Sequence, residues 1–344
     1  MVEGLAAAID IVAERGAQSH RFLRFGWYAA ALAAYGGQAR TLVVEQEDAP
    51  VLALPFVPLG PRALRLATIP GCYWPFRSFG LALDAGEAAL KTALSTLGAH
   101  VNGLRIGPVH DDDPAATALI AAARASGWAA IDRPIGQNWS LDLRPAADGQ
   151  PWPRNSTLRK NRFHEKHLAE HGALDWRFLS GTDWPAAFAG LGAVEQTSLD
   201  RARHRSHRHE IHHRRPSRLL AGRGRRPGAR GHVPRRAAQR RGAPAAFSFD
   251  IDAGALLYAI ANSYDPRFAK QSPGKLLYWR NLVAAQARGI QRVDWGAGDS
   301  GYKQVIGATA DAQIRDWILL RPGLPATIGR LLGRLWRRSG QRGR

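Results

Sequence analysis

A group of side chains able to hold an anion lies in FAKQSPGKLLYW, residues 268–279, where Lys270, Gln271, Ser272, Gly274 and Lys275 stand at the start of a predicted helix. The first N–H groups of a helix lack a carbonyl partner and carry the positive end of its dipole, so a polar loop feeding a helix start suits a phosphate. Gly274 permits close backbone approach and Pro273 stiffens the entry. The same residues also fit a plain β–α turn edged by solvated lysines.

Three further motifs match known chemistry only on paper. His209-Glu210-Ile211-His212-His213 satisfies H-E-x-x-H, but it lies among arginines that oppose a divalent cation, so no metal is expected. Gly296-Ala297-Gly298-Asp299-Ser300-Gly301 satisfies G-x-G-x-x-G, yet too little chain follows for a dinucleotide-binding βαβ unit, and a tight turn is predicted. His110-Asp111-Asp112-Asp113 precedes Pro114 and an alanine-rich helix, which makes Asp113 an N-cap rather than a metal ligand. In the loop Tyr73-Trp74-Pro75-Phe76-Arg77, the residues Tyr73, Trp74 and Arg77 either line a substrate cleft or pack in the core, and Cys72 reads as a small buried residue.

The elements that must position these residues alternate. Helical apolar spacing runs through residues 1–35, strands are predicted at 41–46 and 51–59, a helix at 86–98 and a strand at 102–108. A helix from Pro114 and a strand at 136–145 close this half. The alternation repeats with a basic helix at 156–172, a strand at 173–179 and a helix from Asp183 to about Ser198. A hairpin follows at 244–252 and 255–265, then a helix from Gly274 to Arg288 and strands at 290–296 and 314–320. The fold class is α/β (α+β), in two halves at 1–150 and 151–322 with a tail at 323–344.

The net charge of +20 would normally imply a polyanion partner, but its location argues otherwise. Residues 201–241 hold 15 Arg and one acid, Glu210, and residues 330–344 hold six Arg and no acid, leaving 27 basic and 27 acidic residues elsewhere. The body is neutral. The single cysteine rules out an intrachain disulfide and points to a reducing cytoplasm; the N-terminus lacks a signal-peptide pattern, and no apolar run reaches the roughly 20 residues of a membrane span.

Six phrases, PGCYWPFRS (70–78), STLRKNRF (156–163), VEQTS (194–198), GAPAAFSF (242–249), SPGKLLYW (272–279) and DWGAGDSGYK (294–303), resemble the GNAT acetyltransferase superfamily. The closest resemblance is to a tandem-GNAT branch associated with cellulose and exopolysaccharide biosynthesis and related to the Fem-type aminoacyltransferases. The resemblance implies two tandem GNAT-like halves and an acyl-CoA-dependent N- or O-acyltransferase acting on a small or carbohydrate-linked acceptor, with acetyl-CoA or another acyl-CoA as co-substrate. The SPGK loop departs from the glycine-rich pyrophosphate signature of simple GNAT enzymes. The implied mechanism is attack of an acceptor amine or hydroxyl on a thioester, with an acid protonating the leaving thiolate. It implies catalytic roles for Lys303, Tyr302 and Asp294, against the plainer readings of a solvated lysine, a buried ring and a strand-end cap. Arg159 and Lys160 are implied to meet an anionic group, and a solvated helix face explains them equally. Two alternatives remain: a Fem-like aminoacyltransferase using aminoacyl-tRNA, and a nucleic-acid-binding protein working through the basic segment.

That segment has no aromatic residue and no apolar periodicity, so it is expected to be disordered or out of frame over about 199–242. In the resembling branch VEQTS runs on to Trp. Here Leu199-Asp200 follows, and the codons TTG-GAT or TTG-GAC read one base later begin with TGG, Trp. A frameshift, either an artefact or a damaged allele that could leave the chain inactive, is the expectation favoured over an RNA-binding arm. The tail places Ile328, Leu331, Leu332 and Leu335 on one helical face, which suits peripheral membrane contact, a partner, or docking on its own body.

Overall fold

The computed structural model describes residues 1–71, 76–144, 153–179, 184–205, 235–240, 243–298 and 301–341. They form two compact units, Met1–Trp139 with Gly296–Arg344, and Ser140–Trp295.

The first unit opens with β1 (Val2–Glu3), α1 (Ala8–Arg15) and α2 (Phe25–Tyr35). The single helical stretch predicted over 1–35 is thus two helices. Gly16 ends the first in extended backbone and bridges to Ala82, where a Cβ would come within 2.9 Å of the Leu81 carbonyl. Next come β2 (Arg40–Gln46), β3 (Ala49–Leu59), β4 (Leu66–Thr68), β5 (Gly80–Leu81), α3 (Glu87–His100), β6 (Gly103–His110), α4 (Pro114–Ala125) and β7 (Ala129–Asp142). The strand predicted over 136–145 begins earlier, because pairing carries the chain through Pro134, which had masked the alternation. Asp113 caps α4 as the sequence predicts: its carboxylate accepts from Ala116 N at 2.8 Å, and also from Ser78 Oγ at 2.9 Å, with His20 Nε2 at 3.0 Å.

The second unit holds α5 (Asn155–Ala169), β8 (Asp175–Phe178), α6 (Trp184–Arg205), β9 (Arg235–Arg240), β10 (Ala243–Ala253), β11 (Leu256–Tyr264), α7 (Pro273–Ala287) and β12 (Arg292–Ala297). Its strands pair in the order β8-β9-β10-β11-β12, antiparallel except for β11 with β12, which run parallel. Leu168 of α5, Ala245 of β10, Leu276 of α7 and Phe268, in the turn before α7, form a buried cluster, with Leu174 and Trp176 packed on it.

The ends of the basic segment enter this unit, where composition alone predicted no regular element. α6 continues to Arg205, and Arg235–Arg240 pair on one side with β8 and on the other with β10. Backbone groups offered by two neighbouring strands recruit a third without reading its side chains. The H-E-x-x-H match at 209–213 lies outside the described residues.

The chain then returns to the first unit through α8 (Tyr302–Ile306), β13 (Thr309–Leu320) and α9 (Leu324–Gln341). β13 pairs antiparallel with β6, which is why the grouping differs from a division at residue 150. Asp316 of β13 is wholly buried, and its Oδ2 accepts from Arg105 of β6 at 2.7 Å and from Arg133 of β7. Gly107 of β6, at φ +122°, permits this approach, since a Cβ there would meet the Arg315 carbonyl at 2.7 Å.

Candidate active site

The site builds from the turn between β11 and α7. After Tyr264, Asp265 caps a 3-10 turn over Pro266–Gln271 by accepting from Arg267 N at 2.9 Å, and its carboxylate also takes the Arg267 guanidinium. Ser272 then sits in the left-handed region at φ 50°, ψ 50°, and Pro273 opens α7. The Ser272 side chain makes no capping bond, so the first-turn N–H groups of Gly274 and Lys275 remain directed outward from the helix start. A Cβ on Gly274 would lie 2.9 Å from Asn262 Oδ1 and 3.2 Å from Tyr264 Cδ1, which seats the first turn directly on β11.

The two parallel strands that flank this helix separate. Their register runs Leu256↔Arg292, Leu257↔Val293 and Tyr258↔Asp294, while β11 continues to Tyr264. Among the described residues the ladder therefore ends at Asp294, the third residue of β12, and the two strands part on the side of their carboxyl ends, the side on which ligands enter parallel sheets. Asp294 is buried there, and Tyr278 of α7 stacks on Trp295 with ring centroids 4.4 Å apart.

The predicted anion-binding residues fall at this helix start. Lys270 is exposed, Gln271 and Lys275 are half-buried, and Gln271 Nε2 lies 3.2 Å from His171 Nε2. Arg159 and Lys160 are exposed on α5, whose Glu165 pairs with Arg280 of α7.

Tyr302 and Lys303 belong to the first unit, and the structure reverses their plainer readings. Tyr302 is exposed rather than a buried ring. Lys303 is buried rather than solvated, and its Nζ donates to the carbonyls of Gly296 at 3.0 Å and Ala297 at 3.2 Å, which fixes the chain leaving β12. Arg77, also in the first unit, donates Nε to the Gly71 carbonyl at 3.3 Å. Cys72, Tyr73 and Trp74 lie outside the described residues.

Sequence reasoning missed Asp250. Ser248 Oγ lies 3.0 Å from both of its carboxylate oxygens, and Asn281 Nδ2 of α7 donates to Oδ2 at 3.0 Å. Burial pushes this carboxyl up to about 7, and the neighbouring charge of Asp252 adds to the rise. Alternation in FSFDID puts Ser248 and Asp250 on one face of β10, the one signal that could have exposed the pair. Among the described residues no group of three His, Cys, Asp or Glu is placed to hold a metal.

No curated protein matches the chain. Among solved structures, FemX is similar over 97% of this chain and 100% of its own, with 11% identity and a TM-score of 0.61. L-PGS from Bacillus licheniformis is similar over 99% of both chains, with 11% identity and a TM-score of 0.54. At such identity the likeness is one of fold, a mixed α/β architecture. Residues 155–304, from α5 through the turn of α7 to Lys303, match the acetyltransferase (GNAT) domain family.

Proposed function

We propose that this chain is an acyl-CoA-dependent N- or O-acyltransferase whose acceptor is a small or carbohydrate-linked amine or hydroxyl, in cytoplasmic polysaccharide biosynthesis. The observation that carries the reading is the parting of β11 and β12 beside a helix start seated on Gly274. The open N–H groups of Gly274 and Lys275, with Lys270 nearby, suit the donor phosphate. A thioester donor supplies the activated carbonyl. The resemblance supports Asp294 as the group that takes the acceptor's proton and Tyr302 as the acid that returns one to the thiolate, while Lys303 binds the Gly296 and Ala297 carbonyls.

Thiol release from acetyl-CoA in the presence of amine or hydroxyl acceptors tests this reading. Gly274→Val should weaken donor binding by about tenfold or more, since its branched side chain cannot fit between α7 and β11, with little change in circular dichroism. Absence of both thiol release and saturable CoA binding overturns the proposal. The likeness to FemX and L-PGS favours a second reading, aminoacyl transfer from aminoacyl-tRNA, for which labelled amino acid would move without CoA. The out-of-frame reading of residues 199–242 makes a frame-restored chain the companion sample in this assay.

A further inference from the structure

α9 is held by one face and leaves the opposite face in solvent. Ala326 is buried, and Cβ atoms on Gly329 and Gly333 would come within 2.1 Å of Leu320 Cδ1 and 3.2 Å of Ile131 Cγ2. On the same side the Arg133 guanidinium lies 4.1 Å from the Trp336 ring centroid, and Arg337 donates to Asp132 at 2.5 Å. Small residues let the helix lie close, so its leucines are not needed for docking.

Those leucines point away. At about 100° per residue, Leu324, Ile328, Leu331, Leu332 and Leu335 fall within an arc of about 100° opposite Ala326 and Gly333. Leu331 is 74% exposed, Leu324 71% and Leu335 64%. A contiguous apolar stripe of this kind marks a surface that something covers. Arg330, Arg334 and Arg338 line one border of it, and the helix has no acidic residue.

We propose that α9 is an interfacial helix that lays its leucine stripe into the surface of an anionic lipid bilayer, with the bordering arginines at the headgroups. Nucleic acid would engage the arginines and leave the leucines in water. A second copy seated on the stripe would bring two arginine borders together with no acid in either helix to face them. No helix among the described residues is long and apolar enough to cross a membrane, so the helix lies in the plane of the surface. The inference stands apart from the acyltransferase reading, because vesicle binding is measured without substrate.

The test is sedimentation of the full chain with phosphatidylcholine vesicles and with vesicles containing phosphatidylglycerol. Binding should require the anionic lipid and weaken with salt, and Leu331→Glu/Leu335→Glu should cut the partition by about tenfold or more while the thermal midpoint stays put. If the glutamates perturb the fold, Leu331→Gln/Leu335→Gln provides the same comparison. Three results overturn the proposal: no binding to anionic vesicles, undiminished binding by the leucine variants, or a dimer in vesicle-free solution that those variants dissolve.

Discussion

Replacing Asp316 with alanine is expected to lower stability by about 3–5 kcal/mol, the usual cost of stranding buried charge by deleting its partner. Asp316 is 0% exposed and binds Arg105 and Arg133, each with a side chain only 21% exposed. Without the carboxylate, two guanidinium groups are left close together with little water to separate them. Asp316→Asn retains the shape and one acceptor oxygen, and should fall between the two. Chemical denaturation measures the difference, and a loss under about 1 kcal/mol for the alanine variant would show that solvent reaches the arginines readily.

The second large effect is a dependence of stability on pH centred on Asp250. Its carboxyl is raised from an ordinary 3.8 to about 7 in the folded chain, chiefly by burial, while Ser248 and Asn281 oppose the rise. The folded state therefore binds the proton more tightly than the unfolded state. The contribution is fully present below pH 4 and is lost as pH rises through 7, a total of about 4 kcal/mol. Asn281 Oδ1 is buried without a partner, so an amide turned about its axis could accept from the protonated acid. Asp250→Asn should remove the dependence, matching the parent near pH 4 and exceeding it near pH 8. Denaturation midpoints across that range decide the matter. A parent-minus-variant difference that stays flat would falsify the assignment of a buried, proton-binding Asp250.

The parts of this chain legible in its sequence are those governed by local chemistry. The Asp113 cap, the hairpin around Gly254, and the helix opened by Pro273 each follow from residues a few positions apart. What was hidden depends on distant partners. Asp316 meets arginines 211 and 183 positions away, and no periodicity announces such a pairing. Lys303 was expected to be catalytic, with a solvated surface lysine as the plainer reading because its type is usually solvated; that two carbonyls draw it inside was not visible in the sequence. β9 was invisible for the opposite reason, since its neighbours rather than its composition make it a strand. The tail was half-legible: the leucine stripe showed in the spacing, but docking through Ala326, Gly329 and Gly333 did not.

The pairing of β9 also bears on the order of assembly. From Ala243 to Ala297 the hairpin, α7 and β12 follow one another in the chain, so their contacts close only short loops. β9 joins this nucleus through a tight connection, Arg240 opposite Ala243. β8 is different: Asp175 pairs with Gln239 only after about sixty intervening residues close a loop, which places its docking late. The turn that carries Gly274 is therefore expected to form early in the second unit and β8 to join late, an order that native-state hydrogen exchange of the two strands would read.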